Sequence, residues 1–285
     1  MDAVNSSVDI STFAYRGRLA PSPTGYLHLG HARTFWTAFS RCIERKGTLT
    51  LRSEDLDHSR VKPEFITAMQ EDLRWLGIDW QEGPDLGGCF APYIQSLRTE
   101  WYRQVVNSLI AKGVVYCCCC SRQDILKAAA APHFEDEGPL YPGTCRDRGL
   151  PFQESYSLRF RVPESEVIEF NDGRMGPQRW VAEVDFGDFV LRRGDGVFSY
   201  QLAATADDHA MQITEVVRGA DLLRSTARQI LIYRALGWTT PLFYHCPLVL
   251  DDQGRRLAKR QDRFSIRQLR SEGLTPEEIR NLCLV

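Results

Sequence analysis

The chain has 285 residues, 43% of them hydrophobic and 25% charged, which is the composition of a globular protein. Its formal net charge of −2 excludes a generally basic surface, so any contact with nucleic acid has to come from a local patch. No apolar run is long enough to span a bilayer, and the N-terminus lacks a signal-peptide pattern. With nine cysteines but no secreted disulfide framework, a cytoplasmic chain with reduced thiols and no membrane partner is expected.

The first part of the chain alternates strand and helix signals. The stretch GRLAPSPTG predicts a short strand that ends in a Pro/Gly turn, and residues 29–43 have the apolar side of a helix. TLTLRS alternates like a strand, a second helix is predicted over 63–77, and a third over 97–113. This β-α-β-α order indicates an α/β fold with a Rossmann-like, doubly wound parallel sheet.

The pattern changes after the third helix. Residues 114–195 contain four consecutive cysteines, an Ala/Pro/Gly-rich loop and two strand-like runs, SLRFRV and DFVLRR, without a long helical pattern. We interpret this segment as a subdomain inserted between two halves of the α/β domain, 1–113 and 196–240. The second half contains the strand QITEVVRG and a helix that ends at a glycine. Residues 241–285 hold a basic run and a short helix opened by the capping-box pattern TPEE.

A candidate anion site lies in APSPTGYLHLGHAR. The usual phosphate loops, G-x-G-x-x-G and G-x-x-x-x-G-K-[ST], are absent from the sequence. Instead, His28 and His31 stand at the start of a predicted helix, whose N-terminus favours anions. Two imidazoles there can stabilise a phosphate in a transition state, although taken alone they also fit plain helix-start residues. The basic run at 255–270, taken alone, predicts only a solvated face.

Several stretches together resemble one family. APSPTG…HLGH resembles the first signature of class I aminoacyl-tRNA synthetases in its glutamyl form, and RRLAKRQ lies where their lysine-centred second signature is expected. LRSEDLD, GDGVFSYQLAATADDH and ITEVVRGADLL are similar to other stretches of that branch, in order along nearly the whole chain. The cysteine segment and GPLYPGTCR are similar to those of a truncated paralogue of the glutamyl-tRNA synthetases.

The resemblance implies an activity. The expected reaction is tRNA-independent activation of L-glutamate with ATP and Mg²⁺, followed by transfer of glutamate to the queuosine in the anticodon of tRNA(Asp). A monomer without an anticodon-binding domain is expected. One alternative is a truncated glutamyl-tRNA synthetase that charges a tRNA 3′ end. Another, of a different class, is a catalytically silent RNA-binding module with the synthetase fold.

The resemblance also implies which residues bind glutamate. Arg18 and Arg218 match the arginines expected to hold its carboxylates, as guanidinium groups do through paired N–H groups. Ser22 and Glu54 match positions at the amino-acid backbone end, with Glu54 facing the ammonium group. Tyr200 matches a phenol that hydrogen-bonds the substrate.

Catalysis and ATP binding are assigned to His28, His31 and Lys259. The histidines are expected to face the triphosphate, and Lys259 to reach the phosphates as pyrophosphate leaves. RLAKR departs from the family pattern, with an arginine for the first lysine and an alanine for a serine. The acidic pair and histidine at 207–209 could suggest a metal site, but we favour a structural or ATP-adjacent role, since consecutive positions seldom converge on one ion.

The cysteine run offers two metal-binding pairs. In an extended segment alternate side chains share a face, so Cys117 with Cys119, or Cys118 with Cys120, can grip one ion. Chemistry alone does not choose between the pairs. Buried cysteines that pack as small apolar residues are the alternative interpretation for Cys117 and Cys119.

The resemblance to the truncated paralogue selects the second pair. Its pattern implies a structural zinc ion bound by Cys118, Cys120 and Cys145, with Tyr141 as the fourth ligand. His133 stays as an alternative fourth ligand, because imidazole is a more usual zinc ligand than a phenol.

Overall fold

The structure, a computed structural model, describes residues 14–121, 123–125, 140–249 and 265–284. Two residues with predicted roles, His133 and Lys259, lie outside the described residues. The strands are β1 Arg16–Leu19, β2 Thr48–Leu51, β3 Val115–Cys118, β4 Ser157–Phe160, β5 Val167–Asp172, β6 Gly176–Val181, β7 Phe189–Arg192, β8 Glu215–Gly219 and β9 Leu242–Cys246. The helices are α1 Leu29–Glu44, α2 Pro63–Trp75, α3 Thr99–Ala111, α4 Tyr200–Ala210, α5 Leu223–Leu236, α6 Ile266–Ser271 and α7 Pro276–Leu284.

Parallel strands joined through helices form the centre of the fold. β1 pairs with β2 across α1, and β8 pairs with β9 across α5, both in parallel. β1 lies beside β8, where the Thr214 N–H donates to the Arg16 carbonyl at 2.9 Å. These crossovers confirm the predicted α/β class and the two predicted helices that form them, α1 and α5.

The sequence predicted a parallel sheet, but the four-stranded sheet is mixed. β5 pairs with β9 in parallel but with β6 in antiparallel fashion, giving the strand order β6-β5-β9-β8. The reversal follows from a tight turn after β5, where Asp172 Oδ1 accepts the N–H groups of Arg174 and Met175 at 3.0 and 2.8 Å. A turn this short joins only antiparallel strands.

Residues 114–195 contribute to two sheets. β3, β4 and β7 form an antiparallel sheet of their own, whereas the β5–β6 hairpin extends the sheet of β8 and β9. One hydrophobic cluster unites this segment with the helices around it, for example Phe160 and Ile168 with Leu202 and Ile230. The core is therefore continuous across the predicted boundary, and the domain division stays a prediction.

The C-terminal helices pack on the first half of the chain. Ile266 and Ile279 share a hydrophobic cluster with Phe35 and Leu73. The predicted capping box at the start of α7 is confirmed, since the N–H of residue 275 donates to the Glu278 carboxylate at 2.7 Å. In the part of the chain that the structure describes, no helix combines the length and the apolar character needed to cross a membrane.

Candidate active site

A cavity of about 540 Å³ opens where β1 and β8 end and α1 begins. Parallel strands present their carboxyl ends on one edge, and in α/β sheets this edge is the usual ligand site. Every residue that the sequence assigned to glutamate or ATP within the described ranges lines this cavity, namely Arg18, Ser22, His28, His31, Glu54, Tyr200 and Arg218.

The two histidines form the N-terminus of α1. His28 is the N-cap, its Nδ1 accepts the Gly30 N–H at 3.1 Å, and His31 Nδ1 accepts the His28 N–H at 3.2 Å. Because both Nδ1 atoms accept, each neutral ring carries its proton on Nε2. A side chain at Gly30 would place its Cβ 3.0 Å from the His28 ring, so the glycine allows this cap. The pair thus combines Nε2–H donors with the positive end of a helix dipole.

Arg18 and Glu54 belong to a buried charge network. Arg18 Nη1 donates to the Val217 carbonyl at 2.8 Å, and its Nε lies 3.4 Å from Asp208. Arg52, which is fully buried, donates to Glu54 at 2.9 Å and to Asp208 at 2.7 Å. Burial raises the pKa of Glu54, and the neighbouring Arg52 opposes that rise. A cationic group bound in the cavity would compensate this desolvated carboxylate further.

Arg218 is held by three acceptors. Its Nε donates to His245 Nε2 at 3.1 Å, its Nη1 to the Tyr200 hydroxyl at 3.1 Å, and its Nη2 to the Thr226 hydroxyl at 2.6 Å. His245 Nδ1 in turn lies 2.6 Å from Asp172 Oδ2. Sequence reasoning missed His245, Asp172 and Thr226, as well as Arg52, because nothing in their local sequence signals these partners.

The electrostatics around Arg218 favour the neutral form of the His245 imidazole. Burial lowers the pKa of His245, while the carboxylate of Asp172 works in the opposite direction. Burial acts to raise the pKa of Asp172, but hydrogen bonds from His245 and from backbone N–H groups lower it to about 2. Burial also raises the pKa of Tyr200, so its hydroxyl stays protonated.

The residues at 207–209 have structural partners. Asp207 accepts a hydrogen bond from Arg98 Nε at 2.6 Å, and Asp208 pairs with the buried arginines described above. The His209 ring stacks on Trp238 with centroids 3.8 Å apart. These contacts with Arg98, the buried arginines and Trp238 fit a structural role for the three residues.

Three thiols of the cysteine segment come together. The sulfurs of Cys118, Cys120 and Cys145 lie within 4.8 Å of one another, a group that could hold a metal ion. The Tyr141 hydroxyl is 3.3 Å from Cys118 Sγ and 3.7 Å from Cys120 Sγ, and it accepts the Cys145 N–H at 2.8 Å. Cys118 is the last residue of β3 and Cys120 lies two positions beyond it, so the chain after the strand brings the second sulfur to Cys145.

The remaining two cysteines of the run differ from each other. Cys117 is buried in the main hydrophobic cluster, as expected of a packing residue. The expected burial of Cys119 is wrong, because this residue is exposed beyond the end of β3, with its sulfur 3.8 Å from Cys145 Sγ. Burial acts to raise the pKa of Cys145, but hydrogen bonds to its sulfur, from the Cys119 backbone first, lower it to about 6.

Known proteins resemble this chain over most of its length. The family model for class I tRNA synthetases (E and Q), catalytic domain, matches residues 14–285. The chain is 47% identical to a glutamyl-Q tRNA(Asp) synthetase of Nitratidesulfovibrio vulgaris, over 93% of this chain and 83% of that protein. It is also 47% identical to one of Symbiobacterium thermophilum, over 92% and 83%.

A solved structure shares the fold. The glutamate tRNA ligase of Elizabethkingia meningosepticum, crystallised in complex with its amino acid, superposes with a TM-score of 0.77 at 33% identity. The match covers 88% of this chain and 53% of that one, so the chain spans about half the length of the solved ligase.

The α/β fold with its cavity at the start of α1 is that of a class I aminoacyl-tRNA synthetase catalytic domain, and the chain belongs to this ligase family, of the glutamate and glutamine type. Within the family it groups with the glutamyl-Q tRNA(Asp) synthetases, which it matches at 47% identity over most of both chains. The resemblance inferred from the motifs is thereby confirmed.

Proposed function

We propose that this chain activates L-glutamate with ATP, without tRNA, and then transfers the glutamate to the queuosine in the anticodon of tRNA(Asp). The observation that carries the proposal is that two buried arginines, one buried carboxylate and two histidines at a helix N-terminus line the same cavity. Glutamate has two carboxylates and one ammonium group. The charges of the cavity complement all three.

Each charge of glutamate has a candidate partner. Arg18 and Arg218, both 4% exposed, are suited to the two carboxylates, because a desolvated guanidinium binds a carboxylate strongly. Glu54 is suited to the ammonium group, whose charge would stabilise this buried carboxylate. Tyr200 and Ser22 add hydroxyl groups at the cavity wall.

Activation needs positioning and no protein nucleophile. An oxygen of the glutamate α-carboxylate attacks the α-phosphorus of magnesium-bound ATP, and the bond to the α–β bridging oxygen breaks as pyrophosphate leaves. The Nε2–H groups of His28 and His31 and the dipole of α1 are suited to the negative charge that builds on the phosphates. Hydrogen-bond donors of this kind accelerate the step because the developing charge is larger than in bound ATP.

Lys259 is kept in the proposal because described residues on both sides of it in the sequence lie at the cavity. It lies outside the described residues, but Val249 on one side lines the cavity, and Ser265 on the other side forms a β-bridge with His28. The chain therefore leaves and re-enters the described structure beside the proposed triphosphate site. The positions of these two flanking residues support keeping Lys259 as the proposed phosphate-binding residue.

Transfer to queuosine is supported by the two relatives named above. In this step a hydroxyl of the cyclopentenediol attacks the carbonyl of glutamyl-adenylate, and AMP leaves. The competing proposal, charging of a tRNA 3′ end, draws on the likeness to the glutamate tRNA ligase. A silent module is the third candidate, and the charged residues that line the described cavity argue against it.

Glutamate-dependent ATP–pyrophosphate exchange in the absence of tRNA tests the first step. We expect exchange with glutamate and none with glutamine. The absence of exchange with glutamate would favour the silent module and refute the proposal. For the second step, labelled glutamate is transferred to queuosine-containing tRNA(Asp), and the product is digested with nuclease. Label on the anticodon fragment supports the proposal, whereas label on the terminal adenosine identifies the charging of a 3′ end.

A structural zinc ion is proposed for the cysteine cluster. Three sulfurs within 4.8 Å of one another offer the thiolates that zinc prefers, and Tyr141 adds a phenol oxygen. The ion would tie the end of β3 to the segment after residue 140. His133 lies outside the described residues and stays the alternative fourth ligand.

Metal analysis of purified variants tests the ligand set. Cys118→Ser is expected to lose zinc, while Cys119→Ser, the exposed neighbour, is expected to keep it. Unchanged zinc in Cys118→Ser would refute the assignment. Tyr141→Phe that retains tightly bound zinc would point to His133 as the fourth ligand.

A further inference from the structure

Arg218 is oriented by a chain of contacts that crosses three neighbouring strands. Asp172 is the last residue of β5, His245 lies on β9, and Arg218 on β8 is the direct register partner of His245. All three side chains are buried, with exposed fractions of 2%, 0% and 4%. The contacts therefore run from the hairpin turn after β5, through the sheet, to a side chain that lines the cavity.

The hydrogen-bond pattern determines the tautomer of His245. Arg218 Nε can only donate, so His245 Nε2 has to accept and carries no proton. The imidazole proton is therefore on Nδ1 and is donated to Asp172 Oδ2 at 2.6 Å. Burial lowers the pKa of His245, which keeps the ring neutral and its Nε2 lone pair available as an acceptor.

Asp172 is itself locked in one orientation. Its Oδ1 accepts three backbone N–H groups, those of Arg174, Met175 and His245, at 3.0, 2.8 and 3.1 Å. Only Oδ2 faces the imidazole. The turn after β5 thus determines that Oδ2 accepts the hydrogen bond from His245 Nδ1–H, and the unprotonated Nε2 then faces Arg218.

Arg218 keeps N–H groups that its neighbours in the described part of the chain do not use. A guanidinium has five, and among the described residues His245, Tyr200 and Thr226 accept three of them. One hydrogen on each terminal nitrogen remains, and a carboxylate is bound through such paired N–H groups. His245, Tyr200 and Thr226, which accept the other three N–H groups, determine the direction in which the two remaining N–H groups of Arg218 point.

We propose that Asp172 and His245 are positioning residues for substrate binding: they set the tautomer and the direction in which Arg218 presents its remaining N–H groups to a carboxylate of the amino-acid substrate. This inference rests on the proposed function, in which Arg218 binds glutamate. The pair touches neither substrate nor phosphate, so it acts only through Arg218. Its loss should weaken glutamate binding and leave ATP binding intact.

Asp172→Asn is the decisive variant because it is isosteric. The three backbone N–H groups hold the amide oxygen at the Oδ1 position, so the amide nitrogen has to take the Oδ2 position and donate to His245 Nδ1. The imidazole proton then moves to Nε2, which lies 3.1 Å from Arg218 Nε and 3.0 Å from the Thr226 hydroxyl, so Arg218 Nε loses its acceptor. We expect the KM for glutamate to rise by about 10- to 100-fold, the scale on which a misplaced contact acts, with the KM for ATP unchanged.

His245→Gln provides the rescue test. The glutamine amide reaches about as far as Nε2, and its oxygen can accept from Arg218 Nε, whereas His245→Ala has no acceptor there. The glutamine variant is expected to keep a glutamate KM closer to the wild type than the alanine variant does. Ile168→Val, a buried change on the same strand as Asp172, serves as a control for general destabilisation.

Glutamate-dependent pyrophosphate exchange is measured for the full chain and each variant, with glutamate and ATP varied separately. A rise in the glutamate KM alone for Asp172→Asn, with no such change in Ile168→Val, supports the inference. An unchanged glutamate KM, or equal changes in both KM values, overturns it while the proposed function stands. No exchange in the wild-type chain would instead refute the proposed function.

Discussion

Replacing Asp207 with asparagine should destabilise the protein strongly, although the two side chains have the same shape. Every neighbour of this carboxylate is a donor: Arg98 Nε at 2.6 Å, Gln95 Nε2 at 2.9 Å and the Tyr102 hydroxyl at 2.8 Å. Arg52 Nε lies 3.7 Å away. An asparagine can keep its oxygen toward Arg98 Nε, but its nitrogen then faces Gln95 and Tyr102, which have to reorient in order to accept from it.

The balance of buried charges also predicts that Asp207→Asn destabilises the protein strongly. In the described part of the chain the buried ion pairs join three arginines with three carboxylates, namely Arg18, Arg52 and Arg98 with Glu54, Asp207 and Asp208. Removing one carboxylate leaves an uncompensated buried cation. Breaking a buried pair in this way costs about 3–5 kcal/mol, which at roughly 2 °C per kcal/mol corresponds to a fall in Tm of about 6–10 °C.

Urea denaturation followed by circular dichroism measures the free energy of unfolding. Asp195→Asn is the matched control, because Asp195 is half-exposed and pairs with Arg193 at the surface. This control should change the unfolding free energy by less than about 1 kcal/mol. If Asp207→Asn also stays within about 1 kcal/mol of the wild type, the buried network does not stabilise the fold.

Three further predictions concern single side chains. Glu54→Gln removes the partner proposed for the ammonium group, so the glutamate KM in pyrophosphate exchange should rise about 10- to 100-fold, the equivalent of one charge-assisted hydrogen bond. His28→Asn keeps an N-cap acceptor for α1 but removes the imidazole; the unfolding free energy should change by less than about 0.5 kcal/mol while activation slows about 10²- to 10³-fold. Asp72 is fully buried, and its pKa is raised to about 6 by burial, with Arg267 opposing. A raised carboxyl pKa gives stability that is present below the unfolded value and lost as pH rises through the folded value, so Asp72→Asn should stabilise at pH 7.5 by up to about 3 kcal/mol, and by about half as much at pH 5.

Each of these has an outcome that contradicts it. An unchanged glutamate KM in Glu54→Gln would remove that carboxylate from substrate binding, and the ATP KM is the internal control. A normal activation rate in His28→Asn would assign that histidine to capping alone. Asp72→Asn that is less stable than the wild type at pH 7.5 would mean that its ion pair with Arg267 outweighs the desolvation of the carboxylate.

Local signals account for the elements that the sequence predicted well. α1 and α2 have a helical apolar period, Pro63 begins α2 as expected, and the two helices end at Glu44 and Trp75, a few residues before the glycines predicted to stop them. The sequence signals for the strand before α1 and for the capping box of α7 also involve only nearby residues. Only the neighbouring residues determine these features, so a short stretch of sequence contains the whole signal.

The sequence predicted part of the site through family motifs and not through local structural signals. Seven residues matched motifs of the family, and the structure brings all seven to one cavity. The motifs did not reveal how those residues are held. Arg52 meets Asp208, which is 156 positions away, and His245 meets Asp172, which is 73 positions away.

The sequence by itself determined the α/β class, the helices of both ends and the family to which the chain belongs. Only the tertiary structure decided that β5 and β6 join the sheet of β8 and β9, that Cys119 is exposed, and that Arg218 depends on His245. The physical reason is the range of the interactions. Helix periods and caps involve residues within a few positions, whereas strand pairing and buried ion pairs join residues whose separation leaves no pattern in the sequence.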